Sequence, residues 1–258
     1  ENVLIELFDG QGLNIDRNTQ RRVEQAFFTE EFRRVSRDKM GGLAYVPRLL
    51  EDYVEKMLSA VDVEIIRNSA FKVMVKPDSS CLSILLSTVL EKLGCTVRHC
   101  EVDAAVAGSH QEEEKISVVV REISALMPTE DVDLGVVVDQ NAEKLILIDE
   151  KGNRLDDRCF TALLTLLVFK HSQKPTMAVP VYASQAIEKL AEKHHGNVVR
   201  TKANARSLME MVVTEKIFPG QDGKSHFQPN FDSVFSLAKI LELLAKETHK
   251  FESRYLDG

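Results

Sequence analysis

The stretch Val132-Asp133-Leu134-Gly135-Val136-Val137-Val138-Asp139-Gln140-Asn141-Ala142-Glu143-Lys144-Leu145-Ile146-Leu147-Ile148-Asp149 sets two apolar runs around a polar turn. Leu134 to Val138 and Leu145 to Asp149 read as strands, apolar at consecutive positions as strands covered on both faces are. The turn leaves the carboxyl end of the first strand, where open α/β sheets take their ligands. Asp139, Asn141 and Glu143 alternate along it, so their oxygens can converge on a hard divalent cation such as Mg2+, with Lys144 following as a positive charge. The same residues also read as a solvated strand-to-strand turn. Spacing alone leaves both readings open.

Outward from this stretch the rhythm is βαβα. Phe71 to Val75 reads as a strand, and Leu82, Leu85, Leu86, Val89, Leu90 and Leu93 fall at helical spacing before Gly94, a natural stop. Cys95 to His99 reads as the next strand, Ile116, Val119, Val120 and Ile123 mark a further helix, and Lys151-Gly152-Asn153 reads as a turn. Downstream, a helix is expected over about 157–171, a strand over 176–180, a helix from Ser184 to Gly196 and a strand over 197–200. A Gly- and Pro-containing loop over 218–231 precedes a last helix carrying Val234, Leu237, Leu241 and Leu244. Upstream, Val23, Phe27, Phe28, Phe32 and Val35 give a first helix an apolar face. Leu50, Tyr53, Val54, Met57 and Leu58 do so for a second, which Pro47 opens. These first sixty residues hold too little for an independent core. The pattern predicts an α/β chain with mostly parallel sheets covered on both faces and a domain boundary near residues 155–175.

The 258 residues are 44% hydrophobic and 28% charged, with a formal net charge of -7. A chain of this length and composition folds without a disulfide or metal as a staple. No basic face is evident, which argues against nucleic acid or an anionic membrane as partner. A few backbone amides or one lysine still suffice to hold a small phosphorylated ligand. Cys81, Cys95, Cys100 and Cys159 lack CxxC spacing and read as reduced thiols of a cytoplasmic protein. No apolar run reaches the ~18 residues of a membrane span, and no signal peptide is visible. The first residue is Glu1 and the strand-like run Val3 to Phe8 begins at once, so further chain upstream is expected.

Asp139-Gln140-Asn141-Ala142-Glu143-Lys144 resembles the metal-binding loop of the α-D-phosphohexomutase superfamily, which includes phosphomannomutases and phosphoglucomutases. That family's loop reads Asp-Gly-Asp-(Gly/Ala)-Asp-Arg, after an Asp-Leu-Gly strand and before a strand ending in Asp-x-x-Gly. Further pieces in matching order are Glu24-Gln25-Ala26-Phe27-Phe28 with Phe32-Arg33-Arg34 and Tyr53-Val54, then Phe71 to Val75 through Leu90-Glu91-Lys92-Leu93-Gly94-Cys95. Arg200-Thr201-Lys202 and Phe231-Asp232 complete the series. The resemblance implies two consecutive three-layer α/β/α domains with mostly parallel mixed sheets, at residues 61–158 and 159–258. A helical remnant of a preceding domain would occupy residues 1–60. It implies phosphoryl transfer between the 6- and 1-positions of a hexose phosphate. Mg2+ would be held by Asp139, Asn141 and Glu143, Lys144 would be catalytic through phosphate contact, and Thr201, Lys202, Ser225 and His226 would meet the sugar phosphate.

The departures act in one direction. Asn141 stands where the family has Asp, which removes a formal charge from a hard-cation site. Glu143 for Asp lengthens the arm, Gln140 replaces a glycine, and Lys144 for Arg loses the bidentate fork suited to phosphate. The family's Ser-His-Asn phosphoserine loop has no counterpart in the chain. Its Gly-Glu-x-Ser-Gly-His sugar loop corresponds to Phe218-Pro219-Gly220-Gln221-Asp222-Gly223-Lys224-Ser225-His226, without the glutamate, and Asn204 replaces a glycine after Lys202. The expected Mg2+ site is therefore weak or absent. Two functions follow: a phosphohexomutase segment not catalytic by itself, or a retired mutase module with a structural or regulatory role in a larger sugar-phosphate nucleotidyltransferase. On either reading the missing upstream and downstream domains of the same polypeptide are its expected partners.

Other polar groups have plainer readings. His194-His195 suits the negative pole of a helix end, Glu112-Glu113-Glu114 suits a helix start, and His99 and Cys100 suit ordinary packing. Lys76-Pro77-Asp78-Ser79-Ser80 reads as a helix N-cap or as an anion-facing start.

Overall fold

The structure is a computed structural model that describes residues 7–10, 12–31, 35–42, 45, 47–76, 81–100, 112–171, 175–203, 205–214 and 232–247. Ser225, His226, Asn204, Phe32 and the 218–231 loop lie outside the described residues.

Four strands form the larger sheet: β1 (Lys72–Val75), β2 (Thr96–His99), β3 (Leu134–Val138) and β4 (Leu145–Ile148), in the order β2-β1-β3-β4. β1 is parallel to both β2 and β3, and β4 closes the edge antiparallel to β3. The period-2 alternation of strands divides the side chains between two faces. Val73, Val75, Leu134, Val136 and Leu147 join one core cluster with Leu86, Val89, Leu90 and Leu93 of α4 (Cys81–Lys92). Met74, Val137, Ile146 and Ile148 join another with Val119, Val120 and Ile123 of α5 (Glu112–Leu126). The sheet is thus a middle layer between α4 and α5, as the continuous apolar strands required. Gly135 permits the close approach of α5, since a Cβ there would lie 2.7 Å from Ile123 Cγ2.

A second, two-stranded parallel sheet pairs β5 (Thr176–Pro180) with β6 (Asn197–Thr201) through α7 (Ala186–Lys193). Two helices join the sheets. α6 (Asp157–His171) buries Leu163, Leu164, Leu167, Val168 and Phe169. α9 (Ser233–Lys246) is buried around most of its circumference, so it is an internal helix. It touches α6, α4, β4 and α3 (Val63–Ser69). One core cluster runs from Val73 and Leu134 to Val179, Leu167 and Leu241, across the expected 158/159 boundary. Glu242 is buried on α9 between Lys239 at 2.9 Å and Lys246 at 2.5 Å, so its charge is paired. Among the described residues no helix is long and apolar enough to cross a membrane.

The first helix ends before the last residue of its expected apolar stripe. α1 (Arg17–Phe28) is capped by Asp16 and buries no residue, so its apolar face, with Phe27 and Phe28 foremost, is exposed. Val35 lies beyond the helix. α2 (Leu49–Ser59) instead buries Val54 and Met57. It reaches α9 through the Tyr53 hydroxyl, which donates to both carboxylate oxygens of Asp232 at 2.8 and 2.9 Å. Burial, with the adjacent Asp232 charge, pushes the phenol far up, so it remains a donor at physiological pH. Asp232 also caps α9 by accepting from the Phe235 amide at 2.9 Å. Asp232→Ala removes the cap and strands a half-buried phenol, and is expected to cost about 2–3 kcal/mol. Urea unfolding checks this; a loss no larger than that of Tyr53→Phe would contradict the double role.

Candidate functional site

The turn between β3 and β4 is closed by its first residue. The Asp139 amide donates to the Lys144 carbonyl at 3.2 Å and the Ala142 amide to the Asp139 carbonyl at 3.1 Å. Oδ1 of Asp139 accepts the amides of Glu143 and Lys144, both at 2.8 Å. Ala142 takes φ +58°, the left-handed conformation that glycine adopts freely and alanine at a cost of about 1–2 kcal/mol. Its carbonyl accepts the Ser233 amide at 2.8 Å, which docks the start of α9 on the turn. The Ser233 hydroxyl is fully buried and has no hydrogen-bond partner among the described residues.

These contacts decide how the turn relates to Mg2+. A carboxylate oxygen has two lone-pair positions, and two amides fill those of Asp139 Oδ1. Asn141 brings a neutral amide in place of a charge and is exposed. Among the described residues no group of three His, Cys, Asp or Glu is placed to hold a metal. With Oδ1 of Asp139 spent on two amides and a neutral amide at Asn141, the turn offers fewer free carboxylate oxygens than a hard-cation site prefers, and no chemical step is routed through Mg2+. Lys144 is exposed, and its backbone amide and carbonyl are spent on Asp139.

The flanks of the turn do structural work. Oδ2 of Asp133 accepts the Lys72 amide at 2.9 Å, which fixes the register of β1 on β3. Asp149, fully buried, accepts the amides of Lys151 and Asn153 and the Asn153 side-chain amide. Gly152 passes against α5 with φ +84°.

Thr201 ends β6, on the other sheet, and Lys202 follows it. Thr201 is buried, with its hydroxyl turned to the backbone carbonyls of Val179 and Lys202 at 3.4 and 3.2 Å; Lys202 is exposed. The residue beside them that organises this edge is Arg200. Its guanidinium donates to the carbonyls of Val181 at 3.0 Å and Ala183 at 2.7 Å and pairs with Glu188 at 2.6 Å, so it staples the loop after β5 to the start of α7. Burial tends to raise the Glu188 carboxyl, and the Arg200 bond outweighs it and holds the group below its usual range. Sequence reading placed Arg200 in a motif but had no signal for its reach.

Of the four cysteines, Cys95 and Cys100 are buried free thiols and Cys159 is a partly buried one. Burial pushes Cys95 up to about 12, so it is inert at neutral pH.

Comparison with known proteins identifies the pattern. Residues 51–152 match the family described as phosphoglucomutase/phosphomannomutase, alpha/beta/alpha domain II. The chain is 26% identical to a phosphoglucomutase/phosphomannomutase of Thermococcus kodakarensis, over 96% of the chain and 55% of that protein. It is 28% identical to a phosphoglucosamine/phosphogalactosamine mutase of Sulfurisphaera tokodaii, over 94% of the chain and 55% of that protein. A solved phosphoglucomutase/phosphomannomutase family protein from Burkholderia thailandensis shares the fold with a TM-score of 0.69 at 16% identity, over 92% of this chain and 51% of that one. The chain spans just over half the length of the curated relatives it matches.

Proposed function

We propose that the chain, whose residues 51–152 match the phosphoglucomutase/phosphomannomutase alpha/beta/alpha domain II, is a mutase-type segment of a sugar-phosphate protein that does not itself catalyse phosphoryl transfer. The observation that carries this reading is the bonding of Asp139. The first position of the family's metal loop is kept, and its carboxylate closes the turn by accepting two backbone amides. The second and third donor positions have drifted to Asn141 and Glu143. Retention of the turn after loss of its donors fits a residue kept for folding.

The test is conversion of hexose 6-phosphate to hexose 1-phosphate by the 258-residue chain, followed by 31P NMR with Mg2+ present. No conversion is expected. Asp139→Ala is expected to lower stability by about 1–3 kcal/mol, since two amides lose their acceptor. Turnover that disappears in Asp139→Ala while the fold persists would overturn the proposal.

A further inference from the structure

We propose that the exposed face of α1 is a self-association surface, on which α1 of a second copy of this chain packs antiparallel about a two-fold axis. Val23 and Phe27, one helical turn apart, share a face with Phe28 beside them, and the two rings are 69% and 81% exposed. Those rings meet edge to face with centroids 5.6 Å apart. The exposed large apolar side chains gather in this part of the chain: outside residues 7–50, those among the described residues are Ile84, Val181 and Tyr182. A helix of 12 residues that buries none of them is marginal in water, since short helices take most of their stability from packing an apolar face. The segments on either side of it are fixed. Before α1, the guanidinium of Arg206, in the helix Ala205–Thr214, pairs with Asp9 at 3.2 Å and donates to the Asn14 carbonyl. After it, Tyr53 of α2 holds Asp232. The helix is thus presented on the body of the chain, and an apolar face so presented, rimmed by charge, marks an interaction surface.

The charges along α1 select the occupant. Arg17, Arg21 and Arg22 lie in its first half, and Glu24, Glu30 and Glu31 lie in its second half and just beyond it, all exposed. The sign therefore changes once along the helix. A second α1 laid parallel sets like charges side by side. Laid antiparallel, it sets each basic half on an acidic one and opposes the two helix dipoles. A two-fold axis produces this arrangement, because each copy then offers the same patch and meets its complement. The Phe27–Phe28 pair lies on the apolar seam, and large aromatic side chains are what anchor such interfaces. A covering segment of different chemistry has to bring the opposite sign pattern of its own, whereas a second copy already carries it. The inference requires no metal, substrate or turnover, so it stands apart from the mutase reading.

The test is sedimentation equilibrium of the 258-residue chain at low ionic strength, with circular dichroism to verify that each variant folds. The chain is expected to form a dimer and nothing larger. Phe28→Ala is expected to weaken the dimer roughly thirtyfold, the loss of an aromatic anchor; Phe28 is exposed in the single chain, so its truncation leaves the fold intact. Tyr182→Ala, at an exposed site away from α1, is expected to leave the dimer unchanged. Arg17→Glu with Arg21→Glu makes α1 acidic on balance in both halves, and Glu24→Lys with Glu31→Lys makes it basic in both. Each pair of changes is expected to weaken self-association about tenfold or more through like-charge contact. Mixed in equal amounts, the two charge-reversed variants are expected to pair with each other. A wild-type chain that stays monomeric assigns the face to another occupant and would overturn the proposal. Association that grows without limit, charge-reversed variants that associate as the wild type does, or mixed variants that fail to pair would overturn it as well.

Discussion

Gly152→Ala is expected to destabilise the chain by about 4–5 kcal/mol, enough to unfold a domain of ordinary stability. Two effects combine. Gly152 has φ +84°, a conformation that alanine adopts at a cost of about 1–2 kcal/mol. A Cβ there would also lie 2.1 Å from the Ser124 carbonyl oxygen and 3.1 Å from its carbon, both backbone atoms of α5 that cannot turn aside. Either α5 moves off the sheet or the turn opens. Gly12 separates the two effects, because it has φ +79° with nothing within 4 Å of the added atom. Gly12→Ala should cost only the conformational part, about 1–2 kcal/mol. Chemical denaturation of both variants is the measurement. Equal losses would mean that the close approach to Ser124 carries no energy.

Asp149→Ala should come second, at about 3–5 kcal/mol. The side chain is fully buried and accepts from the Lys151 amide at 3.0 Å, the Asn153 amide at 2.6 Å and the Asn153 side chain at 3.0 Å. Truncation leaves these donors without a partner, at ~1–3 kcal/mol each when the groups stay dry and less than their sum when the turn relaxes. Asp149→Asn retains one acceptor oxygen and should recover part of the loss. Since Asp149 and Gly152 hold the same turn, the double variant should fall short of additivity; strict additivity in a double-mutant cycle would contradict a shared turn.

The Asp-x-x-Gly pattern shows what was legible beforehand. The apolar runs at 71–75, 134–138 and 145–149 announced strands because burial on both faces leaves no other composition. The 3.6-residue spacing announced the helix beginning near Leu82 in the same way. The face of α1 was legible as apolar, but a periodicity names no partner, and that face is exposed. α3 was missed because seven residues with Ile66 as the buried one give too short a pattern. α8 (Ala205–Thr214) was missed as well, lying against the small sheet rather than in the main alternation. At the candidate site, residue types marked the turn correctly, while the direction of the Asp139 carboxylate was invisible. A list of oxygen donors does not say whether they face a cation or their own backbone amides.

The most direct test is a Mg2+ titration of the 258-residue chain observed at the amides of residues 139–144, beside a variant carrying Gln140→Gly, Asn141→Asp and Glu143→Asp. The wild-type turn should show no saturable shift at millimolar Mg2+, and the variant, with its charges restored, should show one. Saturable binding by the wild-type chain that Asp139→Ala abolishes would mean that the turn still serves as a metal cage.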